Sequence, residues 1–373
     1  MVGLRKQIVV LPGDGIGPEV TACAQKILQD CAAAFGHEFD LIEMPFGGNS
    51  IDSCGSPLPL ETLAACREAD AVLLGAVGGP KWDGLPLGKR PESGLLALRG
   101  EMQLYINLRP IRIHEALLEI SPLRPEKIRT CNFDIVRELA GDIYFGAHES
   151  SVQNGMEQAT DVAKYSEGEI ERVVTYAFER AQTRDRRLVS IDKANVLATS
   201  VLWRQTVNKI ARKYPKVTLE HLYVDNAAMQ IVLNPGQFDV MVTSNLFGDI
   251  LSDEAAALTG SIGLIPSMSR GNRYKAALYE PIHGSAPSLA GRDIASPLGA
   301  IYCASLMLRE SFGLPNEAEW IESSIDRVLE HGYRTPDIAD AASQIVGATK
   351  MTQCISSEMA DSMLHVERYG WGV

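Results

Sequence analysis

Long apolar runs are absent from this sequence. None reaches the roughly 18 apolar residues of a membrane-spanning helix, and the run at residues 8–12 is too short for a secretory signal. Basic residues are also in deficit, because 35 Lys and Arg stand against 47 Asp and Glu and leave a net charge of −12. A general nucleic-acid binder needs a basic face. We therefore expect a cytoplasmic protein with neither a membrane nor a nucleic acid as partner.

Paired cysteines are missing too. The chain has seven cysteines, an odd number, and no C-x-x-C pair, so neither a disulfide framework nor a structural zinc site is expected. The length of 373 residues predicts about two domains. A composition with 46% hydrophobic and 22% charged residues is typical of a globular protein and argues against disorder.

Short β-rich runs alternate with helical patterns along the chain, and such alternation predicts an α/β fold. No linker divides the chain, and the pattern is mostly helical from residue 297 onward. Pro18 near the first turn and Gly36 just past the end delimit the first helix. The expected elements are strands at 7–11, 71–74, 188–191 and 238–243, and helices at 18–35 and 170–181.

Two glycine-rich stretches stand out. The first, GDGIG at residues 13–17, joins a strand to a helix as a dinucleotide-binding loop does, but Pro18 stands where the G-x-G-x-x-G fingerprint needs its third glycine. It is either a tight turn or a ligand-binding loop of another kind. The second, residues 75–94, holds six Gly and three Pro. So long a loop is usually functional or disordered, and its Trp and apolar residues favour an ordered, functional one.

Three carboxylates occur where a metal site could form. Asp249 and Asp253 are four residues apart and share a face if the segment is helical, where like charges repel unless a cation binds them. Asp225 follows an apolar, strand-like run, and ligands of α/β sheets bind beyond the carboxyl ends of strands. Mg²⁺ and Mn²⁺ prefer such oxygen ligands. Taken alone, an Asp pair is more often part of a solvated helix face.

Basic and aromatic side chains accompany these carboxylates. Arg99, Arg109 and Arg137 lie beside strand-like apolar runs, where guanidinium groups need partners and can grip carboxylates bidentately. Lys193 ends another strand and could act as a base if partly desolvated, and Tyr144 could donate a proton. Separately, these residues read as surface ion pairs, a strand-end lysine and a core aromatic. Together they suit a divalent metal and a polyanionic small substrate.

With these motifs the chain closely resembles the β-decarboxylating dehydrogenases, the isocitrate/isopropylmalate dehydrogenase family. The resemblance runs from about residue 8 to residue 313 and rests on LPGDGIGPE (11–19), DKANV (192–196), NLFGDILSD (245–253) and HGSAP (283–287). It implies an α/β, two-domain fold of the isopropylmalate dehydrogenase type that binds its dinucleotide without a Rossmann fold. The implied domains are a discontinuous cofactor-binding domain, 1–104 with 260–373, and a substrate, metal and dimer-interface domain, 105–259.

The resemblance also implies an activity and its residues. The expected reaction is a metal-dependent oxidative decarboxylation with reduction of NAD, in an obligate homodimer whose subunits share each active site. Tyr144 and Lys193 are implied as catalytic, with Lys193 and Asp225 entering from the partner subunit. Mg²⁺ or Mn²⁺ is expected at Asp225, Asp249 and Asp253. The substrate is expected at Arg99, Arg109, Arg137, Asp225, Leu95, Leu96 and Val196. The dinucleotide is expected at Gly15, Ile16, Gly78, Gly79, Lys81, Asn245, Glu280, His283, Gly284, Ser285, Ala286, Ser288 and Ser296.

Three apolar residues, Leu95, Leu96 and Val196, indicate the isopropylmalate branch of the family. The resemblance places them beside the alkyl group of the substrate, where isocitrate enzymes carry polar residues to meet a third carboxylate. A buried charge left unpaired against an apolar wall is strongly penalised. The expected conversion is 3-isopropylmalate to 2-oxoisocaproate, in leucine biosynthesis. Another alkyl-malate, such as methylmalate, remains open because one methylene discriminates by only ~1–3 kcal/mol.

Two positions depart from the family pattern in the adenosine-binding segment. Ser288 stands where NAD-dependent members usually carry an Asp that repels a 2′-phosphate, and Ser296 replaces an Asn. NADP-using relatives tend to have Lys and Tyr where this chain has Ser288 and Leu289, so NAD is expected. A non-catalytic regulatory subunit is the alternative from another class of function. The presence of Lys193, Tyr144 and the three aspartates argues against it.

Overall fold

A computed structural model of the chain describes residues 3–272 and 276–369, with the backbone alone for 363–369. The strands, numbered in chain order, are β1 (Arg5–Gly13), β2 (Glu38–Glu43), β3 (Ala71–Ala76), β4 (Ile106–Arg112), β5 (Asn132–Glu138), β6 (His148–Gln153), β7 (Met156–Asp161), β8 (Arg187–Asp192), β9 (Thr218–Tyr223), β10 (Val240–Thr243), β11 (Pro266–Arg270), β12 (Ala277–Pro281), β13 (Tyr333–Arg334) and β14 (Gln344–Ile345).

The helices are numbered in the same way. They are α1 (Gly17–Phe35), α2 (Gly47–Cys54), α3 (Leu60–Glu68), α4 (Pro91–Glu101), α5 (Pro125–Ile128), α6 (Glu167–Gln182), α7 (Ala198–Ala211), α8 (Val224–Leu233), α9 (Asn245–Ala257), α10 (Leu298–Glu310), α11 (Pro315–Glu330) and α12 (Ala348–Tyr369). Among the described residues, no helix is both long and apolar enough to cross a membrane.

The chain forms two compact units, each discontinuous in sequence. The first comprises Met1–Gln103, His114–Ile120 and Thr259–Val373, and the second Leu104–Ile113 and Ser121–Leu258. The sequence places 114–120 in the second domain, whereas the structure places it in the first unit. Its first residue is held there because the His114 ring bonds the Asp326 carboxylate (2.7 Å) and the Tyr302 hydroxyl (3.1 Å). Residues 1–2, 273–275 and 370–373 of the predicted first domain lie outside the described residues.

The strands of the first unit bring three loops to one edge. They lie in the order β2-β1-β3-β12-β11, with β1, β2, β3 and β12 parallel and β11 antiparallel to β12. β3 is buried along its whole length, as is usual for a parallel strand covered on both faces. Because the carboxyl ends of parallel strands meet at one edge, the glycine-rich stretches 13–17 and 75–94 begin beside HGSAP (283–287).

The second unit repeats this arrangement with another set of side chains. Its strands lie in the order β4-β5-β10-β8-β9, with β5, β10, β8 and β9 parallel and β4 antiparallel to β5. The carboxyl ends of the four parallel strands lead to residues that the sequence singles out. Those residues are Arg137 in β5, Asn245 after β10, Lys193 after β8 and Asp225 after β9.

The elements expected from the sequence are confirmed. α1 buries the predicted apolar face, and Gly36 ends it with φ 70°, a left-handed conformation that glycine adopts without steric cost. α6 buries Ile170, Val174 and Phe178 as the helical spacing predicts. β1, β3 and β8 contain three predicted strands, and β10 begins two residues later than expected. α10, α11 and α12 account for the helical pattern after residue 297, of which 370–373 lie outside the described residues.

The stretch 75–94 is a structured loop. Short helical turns at Pro80–Trp82 and Leu87–Lys89 precede α4. Asp52 on α2 ties the first turn down, because its carboxylate accepts from Lys81 Nζ (2.6 Å) and from the Trp82 indole N–H (3.3 Å). The loop is thus held to a neighbouring helix by side chains at its tip.

β6 and β7 form an antiparallel hairpin in which every residue of both strands is exposed. The exposed residues include Val152 and Met156, whose relative exposures are 70% and 64%. An isolated two-stranded hairpin is only marginally stable in water. The hairpin therefore carries apolar surface that the described part of the chain does not cover.

The start of α6 offers a test of local stability. The Ser166 hydroxyl accepts from the N–H of Glu169 (3.3 Å), and the Glu169 carboxylate accepts from the N–H of Ser166 (2.7 Å), which is a capping box. Ser166→Ala should lower the free energy of unfolding by ~1 kcal/mol, measured as a lower urea midpoint with faster amide exchange in the first turn. The control is Ser357→Ala, because among the described residues the exposed Ser357 hydroxyl bonds only the Gln353 carbonyl of its own helix. Equal losses in both variants would contradict the capping role.

Candidate active site

Two buried arginines of the second unit converge on one carboxylate. Arg137 in β5 donates from Nη1 to Asp249 Oδ1 and from Nε and Nη2 to Asn245 Oδ1, at 3.0 and 2.7 Å. Arg109 in β4 reaches the same Asp249 oxygen, 3.4 Å from its Nη2. Buried guanidinium groups must be paired, and Asp249 is the carboxylate that both side chains share.

Helix α9 presents its acceptors on one face. Arg109 Nη1 also donates to Asp253 Oδ1 (3.2 Å) and to the Ser252 hydroxyl (2.6 Å). Asp249 and Asp253 thus lie within reach of one guanidinium, which confirms the shared face that their spacing predicts. The guanidinium offsets the repulsion between the two carboxylates.

The start of α9 is held by side chains from outside the helix. The Tyr165 hydroxyl accepts from the N–H of Asn245 (2.9 Å), and the Asp142 carboxylate accepts from the N–H of Leu246 (3.2 Å). These bonds satisfy two of the free N–H groups that every helix start exposes. The Tyr165 hydroxyl donates to Glu138 (3.1 Å), and burial raises the pKa of both groups. A buried polar network therefore sets where α9 begins.

The contact between α9 and Arg137 is close. A Cβ built on Gly248 would overlap the Arg137 side chain, so glycine lets the helix lie against it. The Asn245 amide is engaged as well, since its Oδ1 accepts from Arg137 and its Nδ2 donates to the Gly141 carbonyl (3.0 Å). The sequence predicts Asn245 as a dinucleotide contact. In the structure its side chain holds Arg137.

Tyr144 joins the same cluster. Its hydroxyl donates to Asp249 Oδ2 (2.6 Å), and the Arg137 guanidinium lies 5.4 Å from the centre of its ring. Burial, reinforced by the Asp249 carboxylate, raises the pKa of Tyr144. The phenol therefore stays protonated at neutral pH and is available as a proton donor.

Lys193 and Asp225 form a second group in this unit. Lys193 follows β8, and its Nζ lies 2.8 Å from Asp225 Oδ2 at the start of α8. The hydrogen bond from Lys193 lowers the pKa of Asp225. Within the single chain, no three His, Cys, Asp or Glu residues of the described part come together as a metal site. Asp225 is paired with Lys193 and, within one chain, does not complete a metal-binding triad with Asp249 and Asp253.

Arg99, the third predicted clamp residue, lies on α4 of the first unit. Its Nη2 donates to Glu280 at 2.5 Å, while its buried Nε has no hydrogen-bond partner among the described residues. Leu95 and Leu96 precede it on the same helix, and Leu96 is 38% exposed. Val196 of the second unit is 69% exposed. The predicted alkyl-binding side chains thus present uncovered apolar surface, as a hydrocarbon ligand requires.

The predicted dinucleotide loops meet in the first unit. The Ile16 N–H donates to the Ser285 carbonyl (2.8 Å), and a Cβ on Gly15 would overlap that carbonyl. Gly78 and Gly79 have positive φ, as does Ala286 at 38°. Gly284 is exposed at this edge. The close approach of backbones explains why glycines are needed here.

Two buried polar atoms at this edge have no partner in the described residues. They are Nε2 of His283 and Oγ of Ser296. His283 bonds the Gly284 carbonyl through Nδ1 (2.9 Å), and burial lowers its pKa, so the ring is neutral at pH 7. Buried polar atoms are nearly always paired. Within the described residues, these two atoms therefore keep an unused capacity for hydrogen bonding.

Other residues fall outside the motifs that the sequence highlights. Asn107 orients Arg109 by accepting from its Nε (2.9 Å), and Ser252, Tyr165 and Glu138 act as described above. Their signal in the sequence is weak, because single polar residues inside strands and helices are common. Ser252 alone could be found, since it lies between the two aspartates of one motif.

Comparisons with known proteins identify the family of this chain. The family model described as isocitrate/isopropylmalate dehydrogenase matches residues 7–355. The chain is 52% identical over 358 residues to the 3-isopropylmalate dehydrogenase of Shouchella clausii, covering 96% of this chain and 98% of that protein. It is 50% identical over 352 residues to the enzyme of the same name from Aquifex aeolicus, covering 94% and 96%.

Solved structures give the same result. The isocitrate dehydrogenase of Methylococcus capsulatus superposes with a TM-score of 0.84 at 32% identity, covering 95% of this chain and 99% of that one. A β-decarboxylating dehydrogenase of Thermococcus kodakarensis superposes with a TM-score of 0.80 at 32% identity, covering 98% and 99%. The predicted α/β class and family are confirmed: the chain is an oxidoreductase that belongs to the isocitrate/isopropylmalate dehydrogenase family.

Proposed function

We propose that the chain catalyses the metal-dependent oxidative decarboxylation of 3-isopropylmalate to 2-oxoisocaproate with reduction of NAD, in leucine biosynthesis. The observation that carries the proposal is the convergence of Arg109, Arg137 and Tyr144 on Asp249. That cluster offers fixed cationic donors, a carboxylate face and a proton donor in one place. The relatives named above, about half identical to this chain, support the choice of substrate.

The arginines bind the substrate carboxylates in this proposal. Arg109 and Arg137 are held rigid by side-chain acceptors, so their donors are oriented before the substrate arrives. Arg99 adds a donor, because its buried Nε is unpaired in the described residues. Planar guanidinium groups match carboxylates bidentately. The substrate is thereby fixed with its alkyl group toward Leu95, Leu96 and Val196.

The carboxylates of α9 fit a divalent cation. Asp249 and Asp253 present oxygen atoms on one face, the donor type that Mg²⁺ and Mn²⁺ prefer. Asp225 of the partner subunit would complete the set. When bound, the cation supplies a Lewis acid that acidifies the 2-hydroxyl of the substrate and favours loss of CO₂ from the β-keto acid.

Lys193 and Tyr144 are the proton acceptor and the proton donor of the proposed reaction. In this proposal, Lys193 of the partner subunit would accept the 2-hydroxyl proton at Nζ in its neutral form, while the hydride would pass from C2 to NAD. The contact with Asp225 fixes the position of the Nζ atom. Tyr144 supplies a proton to the enol left by decarboxylation, since its hydroxyl is protonated and fixed by Asp249.

The edge of the first unit fits a dinucleotide. The space beside Gly284 is open, and the unpaired atoms of His283 and Ser296 offer a ligand hydrogen bonds. Ser288 is exposed, and its carbonyl accepts from Arg292 Nη1 (3.3 Å). Lys81 is paired with Asp52 at the tip of the neighbouring loop. NAD is the dinucleotide proposed, with Glu280 and the loops 13–17, 78–81 and 283–288 around it.

A homodimer with shared active sites is part of the proposal. Met229 and Leu233 on α8 and Ile250 on α9 are exposed beside the site residues, and the β6–β7 hairpin is exposed on both faces. Uncovered apolar surface of this kind marks a protein interface. The pairing of Asp225 with Lys193, apart from Asp249 and Asp253, suits a site assembled from two chains. The seven free cysteines suit the cytoplasm.

A substrate panel tests the proposed specificity. With Mn²⁺ and NAD, purified protein should form NADH fastest on 3-isopropylmalate, and kcat/KM on isocitrate should be lower by about 100-fold or more, because a third carboxylate meets apolar side chains. Methylmalate, malate and homoisocitrate complete the panel. Faster turnover of isocitrate would overturn the role of Leu95 and Leu96. No turnover of any member would favour the regulatory-subunit alternative.

Removal of the proposed base tests the mechanism. Lys193→Met should lower kcat by about 100-fold to 10,000-fold while calorimetry still detects binding of Mn²⁺ with 3-isopropylmalate. Lys209→Met is the matched control, because Lys209 is an exposed lysine of α7 paired with Glu167. Near-normal kcat in Lys193→Met would exclude Lys193 as the base.

Dinucleotide preference tests the Ser288 position. The wild-type protein should have a higher kcat/KM with NAD than with NADP, and Ser288→Asp should raise that ratio by about 10-fold, since a carboxylate repels a 2′-phosphate by a few kcal/mol at most. Ser357→Asp adds the same charge at an exposed position on α12 and should leave the ratio unchanged. A wild-type preference for NADP would overturn the proposal of NAD.

A further inference from the structure

Asp14 is a buried carboxylate that the proposed mechanism does not use. It lies in the loop after β1, and its side chain is fully buried. Its Oδ2 accepts from the N–H groups of Gly48 and Gly78, and its Oδ1 accepts from the N–H of Asn49, all at 2.8 Å. Burial raises the pKa of this carboxyl, while the three N–H donors oppose the rise. Charged groups are buried in this way only where several donors compensate them.

The three donors come from two other segments of the first unit. Gly48 and Asn49 lie in the first turn of α2, and Gly78 lies in the loop after β3. A further bond joins the same two segments, because Asn49 Nδ2 donates to the Gly13 carbonyl (2.6 Å). The backbone of Asp14 itself donates to the Ala76 carbonyl (2.8 Å). The loop 13–17 is thus tied at once to α2 and to the loop after β3.

The same loop carries a link to a fourth segment. Two residues after Asp14, the Ile16 N–H donates to the Ser285 carbonyl. The segments that Asp14 and Ile16 connect therefore include the proposed dinucleotide residues Gly15, Gly78 and Ser285. A shift of α2 or of the loop at Gly78 relative to the loop 13–17 would break bonds at Asp14, because its two oxygens accept from both.

The hydrogen bonds of Asp14 also exclude a bound anion at the start of α2. The N–H groups at the start of a helix normally attract anions. At α2 the first-turn donors are already used by a carboxylate of the chain itself. Asp14 therefore fills this anion position itself, so its effect on a ligand is exerted through the loops that it holds.

We propose that Asp14 is a positioning residue for the dinucleotide, which locks the loop 13–17, the start of α2 and the loop at Gly78 in one arrangement. The proposal rests on the dinucleotide part of the proposed function. Asp14 makes no contact with the reacting atoms. Its effect should appear in dinucleotide affinity and not in binding of the metal with substrate, whose proposed aspartate ligands lie on segments that Asp14 does not bond.

Asp14→Asn tests the proposal, because it keeps the size of the side chain and replaces one acceptor oxygen by a donor. In the full-length protein, calorimetry with NADH alone should give a Kd raised by about 10-fold to 100-fold, with the Kd of 3-isopropylmalate in Mn²⁺ changed by no more than about twofold. KM for NAD should rise far more than kcat falls. The control is Glu317→Gln, which alters a buried carboxylate of the same unit that pairs with His37 and should leave the NADH Kd unchanged.

Each remaining outcome is decisive. A wild-type NADH Kd in folded Asp14→Asn overturns the proposal, and so does equal weakening of both ligands, which indicates a general structural role. If Asp14→Asn fails to fold, Asp14→Glu decides the matter, since it keeps the carboxylate but displaces its oxygens from the N–H groups of Gly48, Asn49 and Gly78. A raised NADH Kd in that variant supports the proposal, and an unchanged one overturns it. A wild-type protein that binds no NADH overturns the proposed function itself.

Discussion

The pairing of two buried guanidinium groups with one helix is the constraint on which the second unit depends. Arg109 and Arg137 lie inside neighbouring strands, where their charges are tolerated only beside acceptors. Asp249 meets both, so α9 must lie with that face on the sheet. Gly248 permits the approach, and the network around Tyr165 sets where the helix begins. In the proposed function, the same two guanidinium groups bind the carboxylates of the substrate.

Much of the fold could be predicted because its signals are local. The helix at 18–35 shows its apolar face, its proline and its terminal glycine within one segment, and the structure reproduces all three. Parallel strands leave the same signature, since a fully buried run such as β3 has little other explanation. The compact units differ from the predicted domains at residues 114–120, because the position of this segment depends on contacts of His114 with Asp326 and Tyr302, roughly two hundred residues away in the chain.

The residues of the candidate site differ in the same way, because some have a local signal in the sequence and others do not. Asp249 and Asp253 could be found because a spacing of four is visible in the sequence, and Lys193 could be found because it ends a predicted strand. Asp14 and Tyr165 could not be found, since their roles consist of bonds to backbone groups far along the chain. The Asn245 side chain illustrates the difference. Its motif predicts a ligand contact. In the structure, its Oδ1 accepts hydrogen bonds from Arg137 and so positions that side chain.

The discontinuity of the first unit has a consequence for synthesis on the ribosome. β3 pairs with β12, so Ala71 cannot pair until the ribosome has synthesised Ala277, more than two hundred residues later in the chain. The second unit ends at Leu258 and can close before β12 has emerged. In that interval the edge of β3 that later pairs with β12 is open, and the side chains of this strand are apolar. Unpaired strand edges of this kind promote the aggregation of nascent chains. Delay at codons between α9 and β12 would lengthen that exposure, and chaperones that cover strand edges would matter most at this stage.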